Sequence, residues 1–196
     1  DRVGDAHERM TQLIDDLLAL ARQGKTVNEL VPVDLAQTAE RAWRTVDTGD
    51  ASLDAPDGSV TVDADPERLR TLLENLFTNS VEHGSTGNRT ESGDSVVHGT
   101  TSGRATPDDS VEHGSTDDAA VTVTVGALPD GFYVADDGAG FDAGVDLDEA
   151  MNYGVSSDPH GTGFGLAIVR EIAAAHGWTL AVDDADGARF EFRDDG

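Results

Sequence analysis

The strongest constraint on this chain is a gap in its supply of apolar residues. From Gly84 to Asp118 the only aliphatic side chains are Val96, Val97, Ala105 and Val111, in a background rich in Gly, Ser, Thr and Asp. Such a segment cannot bury enough surface to offset the entropy lost on ordering it. Any core must come from the residues on either side. The gap is also repetitive: Ser-Val-Glu-His-Gly-Ser-Thr at 80–86 returns at 110–116, and as Ser-Val-Val-His-Gly-Thr-Thr at 95–101, a period of 15 residues. That is shorter than the usual repeat units of solenoids. We read it as a helix end duplicated into a disordered insert over about 84–118, so His98 and His113 are copies of His83 rather than metal ligands.

The flanks carry regular periodicity. Val3, Ala6, Met10, Leu13, Leu17 and Leu20 alternate steps of three and four, the seam of a helix bundle, with a stop at Gly24. A lone amphipathic helix is unstable, so this one requires a partner. Val31 to Val33 reads as a strand, and Asp34 caps a helix predicted to reach Val46 through Leu35, Ala39, Ala42 and Trp43. Residues 50–63 are turn-rich with short alternating pieces such as Val60 to Val62. Asp65-Pro66 starts a helix running to about His83. After the insert, 121–125 alternates as a strand, and Pro129-Asp130-Gly131 turns into a second strand over 132–135. A helix over 163–176 ends at Gly177, followed by a closing hairpin of 178–182 and 188–192. Together these predict an α+β fold, a two-layer sandwich of a mixed, antiparallel-rich sheet with helices on one face.

Charge sets the solvent and excludes partners. Thirty-nine Asp and Glu (39) against 13 Lys and Arg give a formal charge of −26, and the acids are spread throughout. No basic patch exists to hold nucleic acid or an anionic membrane. Self-repulsion of this size is relieved in about 1 M salt, where the Debye length is roughly 3 Å, which points to a halophile's cytoplasmic protein. Cysteine is absent, excluding disulfides and thiolate metal sites. No apolar run is long enough to span a bilayer. The chain opens at Asp1 without a signal-like segment and is expected to be part of a longer protein.

Three motifs carry chemistry. On the Asp65 helix, Leu69, Leu72, Leu73, Leu76 and Phe77 form the core face, beside a polar stripe of Arg68, Asn75, Asn79 and Glu82. Asparagines four apart suit magnesium, which prefers hard oxygen donors; the same amides also fit an ordinary solvated face. Asp136-Asp137-Gly138-Ala139-Gly140 follows a strand. There a carboxylate can reach a purine amino group and glycines admit the ring against the backbone, although a plain Asx turn has the same sequence. Gly161-Thr162-Gly163-Phe164-Gly165-Leu166 opens a helix, where backbone amides favour phosphate. It lacks the Lys-Ser/Thr ending of a P-loop, and neither its spacing nor its preceding loop fits a dinucleotide fingerprint.

In order and spacing these motifs resemble the N, G1 and G2 boxes of the ATP-binding domain of sensor histidine kinases, within the superfamily shared with gyrase and MutL. The likeness covers about Pro32 to Phe192 without the insert. It implies a domain over 32–196, a linker over 25–31, and at 1–24 the second helix of a dimerisation domain. The resemblance further implies ATP and Mg2+ as cofactors, with Asn79 on the metal and Asp136 on adenine beside Gly138 and Gly140. Asn75 would lie near the phosphates, where related ATPases place a general-base glutamate. Gly161, Thr162, Gly163, Phe164, Gly165 and Leu166 would form the lid, with His83 and Tyr153 as aromatic neighbours of the nucleotide. Implied partners are a phosphoacceptor histidine domain of the same chain or its dimer mate, and a response-regulator receiver domain. The full-length protein would be a homodimer.

Two departures matter. Glu82 stands where many relatives carry a phosphate-contacting Lys, so it should point away or be screened. The family's phosphoacceptor motif, a His followed by an acid and a nearby proline on the first dimerisation helix, is missing: His7-Glu8 lacks the proline and falls in the stretch that resembles the second helix. Another superfamily ATPase, such as a serine kinase, and a non-catalytic nucleotide sensor are the alternatives. His160 and His176 have no assigned role; the position of His176 near a helix C-terminus favours its protonated form. Because loop length costs little free energy, deleting 87–117 is predicted to leave nucleotide affinity within about threefold by titration calorimetry.

Overall fold

The computed structural model describes residues 30–84, 120–141, 164–184 and 187–194. The expected bundle helix, the linker residues before Leu30, nearly all of the repeat insert, Tyr153 and Gly161 to Gly163 lie outside them. The side chain of His83 does too. In chain order the elements are β1 (Val31–Asp34), α1 (Leu35–Trp43), β2 (Ser52–Asp54), β3 (Thr61–Ala64) and α2 (Pro66–Gly84). They continue with β4 (Thr122–Leu128), β5 (Gly131–Asp136), α3 (Gly165–His176), β6 (Trp178–Asp183) and β7 (Arg189–Asp194).

Five strands form one mixed sheet in the order β2-β4-β5-β7-β6. Only β2 and β4 run parallel; the other pairs are antiparallel. The alternation read in the sequence becomes burial on one face: Val123 and Val125 of β4, Phe132 and Val134 of β5, and Phe190 and Phe192 of β7 point into the core. Phe132 stacks on Phe192 at 4.7 Å. The opposite face is polar, with Glu191 bonded to Arg189 and Arg193. Those bonds, Arg189's first, hold its carboxyl below the usual range.

The core face of α2 is as the periodicity predicts: Leu69, Leu72, Leu73, Leu76 and Phe77 are all buried, each contributing about 1.5–3 kcal/mol. Asp65 caps α2, its Oδ1 accepting from the amides of Glu67 at 3.1 Å and Arg68 at 3.2 Å. Asp34 caps α1 through the Gln37 amide at 2.8 Å.

Several boundaries differ from the sequence reading. α1 stops at Trp43, three residues short of Val46. The Thr45 hydroxyl and amide both turn back to the Ala42 carbonyl, closing the last turn early. β2 was not separable from its turn-rich surroundings: it has three residues and is held by parallel pairing to a strand some seventy positions away. β1 and β3 form a separate two-stranded ribbon rather than joining the main sheet. α3 starts at Gly165 among the described residues.

The charge of His176 is a correction. The ring is buried, stacked on Trp178 at 4.2 Å. Its Nδ1 lies 2.8 Å from the Ile172 carbonyl, which can only accept, so Nδ1 carries the proton. Its Nε2 then accepts the Asp65 amide at 3.0 Å. That geometry needs neutral imidazole, and burial, the largest influence, pushes its pKa below the ordinary value. The Ile172 carbonyl and Asp65 act the other way, and Arg68 acts with burial. The dipole at the helix end loses to desolvation.

This bond ties the end of α3 to the start of α2. Since the folded pKa is depressed, the unfolded chain binds more protons below about pH 6.5. The stabilisation is therefore present above that pH and is lost as pH falls toward the folded value. Lowering the buffer from about pH 7.5 to about pH 5.5 is predicted to reduce the melting temperature more for the parent than for His176→Gln, which keeps an acceptor but cannot titrate.

Candidate functional site

α2 and α3 run antiparallel. At one end His176 meets Asp65; at the other, Gly165 meets Asn75 and Asn79. A Cβ placed on Gly165 would lie 3.3 Å from Oδ1 of Asn75 and 3.3 Å from Oδ1 of Asn79. Both asparagines therefore turn toward the first residue of α3, as their spacing of one helical turn allows. The Asn75 amide group donates to the Thr71 carbonyl at 2.8 Å, which fixes its flip and leaves its oxygen toward Gly165. Phe164, the N-cap, has no side-chain acceptor to offer the amides of the first turn.

Asp136 ends β5 and is 9% exposed. Its Oδ1 accepts from the amide of Gly138 at 3.0 Å and of Ala188 at 3.3 Å. Its Oδ2 accepts from the Ser80 hydroxyl at 2.7 Å. Ser80 is itself buried and directly follows Asn79 on α2. Successive helical residues diverge by about 100°. Asn79 thus faces α3 while Ser80 faces β5, and one turn of helix links the two halves of the site. The neighbouring Asp137 has another job: its Oδ1 accepts the Thr122 amide at 2.6 Å and ties the loop to the start of β4.

The glycines after Asp136 meet the turn between β6 and β7. Gly140 has φ +70°, and a Cβ there would sit 3.4 Å from the Asp184 carbonyl. Gly187 is more constrained, with φ +98° and a hypothetical Cβ 2.0 Å from the Asp136 carbonyl. Phe164 and Leu166 are half-buried and pack against the core. Glu82 is exposed. Among the described residues no group of three or more His, Cys, Asp or Glu could hold a metal. A cation would find carboxamide oxygens instead, a donor type that suits magnesium when ligand phosphates and water complete the shell.

A model of the histidine kinase-, DNA gyrase B- and HSP90-like ATPases matches residues 64–194, from the end of β3 to the end of β7. The chain belongs to this ATPase family. Among curated relatives it is 28% identical over 199 aligned positions to "Probable sensor histidine kinase TcrY" of Mycobacterium tuberculosis (strain ATCC 25618 / H37Rv). That alignment takes in 95% of this chain and 35% of the relative, so the chain spans about a third of the longer protein. Among solved structures it is similar to full-length ShkA in complex with AMPPNP, with 25% identity, a TM-score of 0.61, and coverage of 97% of this chain and 35% of that one. The histidine kinase AdeS of Acinetobacter baumannii shares the fold at 17% identity and TM-score 0.59, covering 96% and 80%. The catalytic domain of the histidine kinase ThkA does so at 16% and 0.57, covering 84% and 94%. The α+β sandwich of this chain is thus the ATPase fold of that family.

Sequence reasoning missed three members of the site. Ser80 belongs to no motif by type or spacing, and Ala188 contributes only a backbone amide, invisible to side-chain reading. Gly187 had a signal, the Asp-Ala-Asp-Gly turn at 184–187, but nothing placed it against Asp136. Gly187→Ala must move either the backbone before β7 or the end of β5, since the clash is with backbone. We expect it to cost about 2 kcal/mol or more in chemical denaturation, and to weaken nucleotide binding when measured where the variant is still folded.

Proposed function

We propose that this chain is the ATP-binding catalytic part of a sensor histidine kinase, taking the γ-phosphoryl group of Mg-ATP to a histidine for relay to a response-regulator aspartate. The observation that carries this reading is the meeting of Asn75 and Asn79 with Gly165, beside a buried Asp136, inside a family built to bind ATP. In this reading Asp136 accepts the adenine amino group. The oxygen of Asn79 would hold magnesium, and Asn75 would lie beside the phosphates. Glycine amides from 161–165 would bind the triphosphate, with His83 and Tyr153 as aromatic neighbours of the nucleotide. Magnesium, when bound, would supply charge neutralisation to the phosphates. The protein's own contribution is positioning and electrostatics.

Transfer forms a bond between an imidazole nitrogen and the γ-phosphorus, breaks the bond from that phosphorus to the bridging oxygen, and releases ADP. The acceptor belongs to a dimerisation domain, of which 1–24 would be the second helix. The matched relatives carry the additional length such a domain needs. A homodimer with its catalytic portion in the cytoplasm, working in concentrated salt, fits both the acidity of the chain and this arrangement. No helix among the described residues is long and apolar enough to cross a membrane.

The test is calorimetry with Mg-ATP in molar potassium chloride. The parent chain is expected to bind. Asp136→Asn and Asn79→Ala should each lose on the order of tenfold or more, the scale of one charge-assisted hydrogen bond or one metal ligand. The chain alone should acquire no acid-labile phosphate during incubation with Mg-ATP; a labelled product would move the acceptor onto this chain and overturn the division of roles.

A further inference from the structure

We propose that Ser80 is a specificity-determining positioning residue, setting which purine the site accepts by filling one lone pair of Asp136. The proposal rests on the reading of Asp136 as the adenine-recognising acid.

A carboxylate offers about four acceptor positions, two on each oxygen. In this structure Oδ1 takes the amides of Gly138 and Ala188 and is full. Oδ2 takes the hydroxyl of Ser80, its one donor among the described residues. One position on Oδ2 remains for a ligand. A purine with a 6-amino group supplies the single N–H that this position needs. A purine with a 6-carbonyl presents an acceptor to an acceptor and is repelled.

Two features give Ser80 this role rather than a structural one. Both partners are buried, and the Ser80 hydroxyl bonds Oδ2 directly at 2.7 Å, so its loss changes how that oxygen is held. The two amides on Oδ1 come from the backbone of Gly138 and Ala188, and they hold only one corner of the carboxylate. Without the hydroxyl, Oδ2 has two open positions and the group can rotate about the corner held by Gly138 and Ala188. The acid would still be present, but no longer aimed.

The experiment compares ATP, GTP and purine riboside triphosphate, which lacks only the 6-amino group, by calorimetry with magnesium in molar salt. The parent should prefer ATP to purine riboside triphosphate on the order of tenfold or more. In Ser80→Ala that preference should shrink to about twofold, mainly through weaker ATP binding, and discrimination against GTP should fall with it. Because the readout is a ratio between ligands differing in one group, a general loosening of the fold would lower all three affinities and leave the ratio unchanged. Ser80→Cys, of similar volume with a poor donor, provides a second variant should Ser80→Ala unfold, and should lose the preference as well. An undiminished ratio in whichever variant folds overturns the proposal. If the parent itself shows no preference for the amino group, it is the adenine reading of Asp136 that fails, and the role of Ser80 goes with it.

Discussion

The five buried side chains of α2, Leu69, Leu72, Leu73, Leu76 and Phe77, lock the rotation of that helix about its own axis, and that rotation places the site's polar groups on α2, Asn75, Asn79 and Ser80. A turn of even one residue would swing Asn79 off Gly165 and Ser80 off Asp136 by about 100°. Interior packing tolerates no such drift, because rotating a filled seam opens voids on one side and forces overlaps on the other. Phe77 meets Trp43 of α1 edge-on at 5.2 Å, which adds a wall against rolling. Translation along the axis is restrained separately, by the bond from the Asp65 amide to His176 at the end of α3. Apolar contacts thus set the angle and hydrogen bonds set the register.

How much of this was legible in the sequence follows from the range of each interaction. The α2 seam, the Asp34 and Asp65 caps and the Gly177 stop are local patterns, and they appear where the spacing put them. β5 and β7 alternate cleanly because one face is buried and the other wet. The short β2 was invisible since its identity comes from its partner strand, not from its three residues. His176 was misjudged for a related reason: the helix end argues for charge, but the stacked Trp178 and the Asp65 amide arrive from outside the helix.

The site divides in the same way. Asn75, Asn79 and Asp136 stood out because side chains of that type at that spacing carry a recognisable chemistry. Ser80 and Gly187 did not, because their importance arises only where the chain returns on itself. A serine matters here because an acid 56 positions away points at it. A glycine matters because a carbonyl occupies the space where its side chain would be. The role proposed for a residue expected to touch ligand can be guessed from its type. The role of one that aims another residue needs the third dimension.

The stacking of Trp178 on His176 also gives the protein an optical property. There are two tryptophans in the chain, and they sit at different stations along α2: Trp43 against Phe77, Trp178 against the imidazole joined to Asp65. An imidazolium in face-to-face contact quenches indole emission far more than neutral imidazole does. The emission of Trp178 should therefore follow the charge of that ring, while Trp43 packs on Phe77 instead. The molecule carries its own paired indicator of whether the far ends of its two central helices remain fastened.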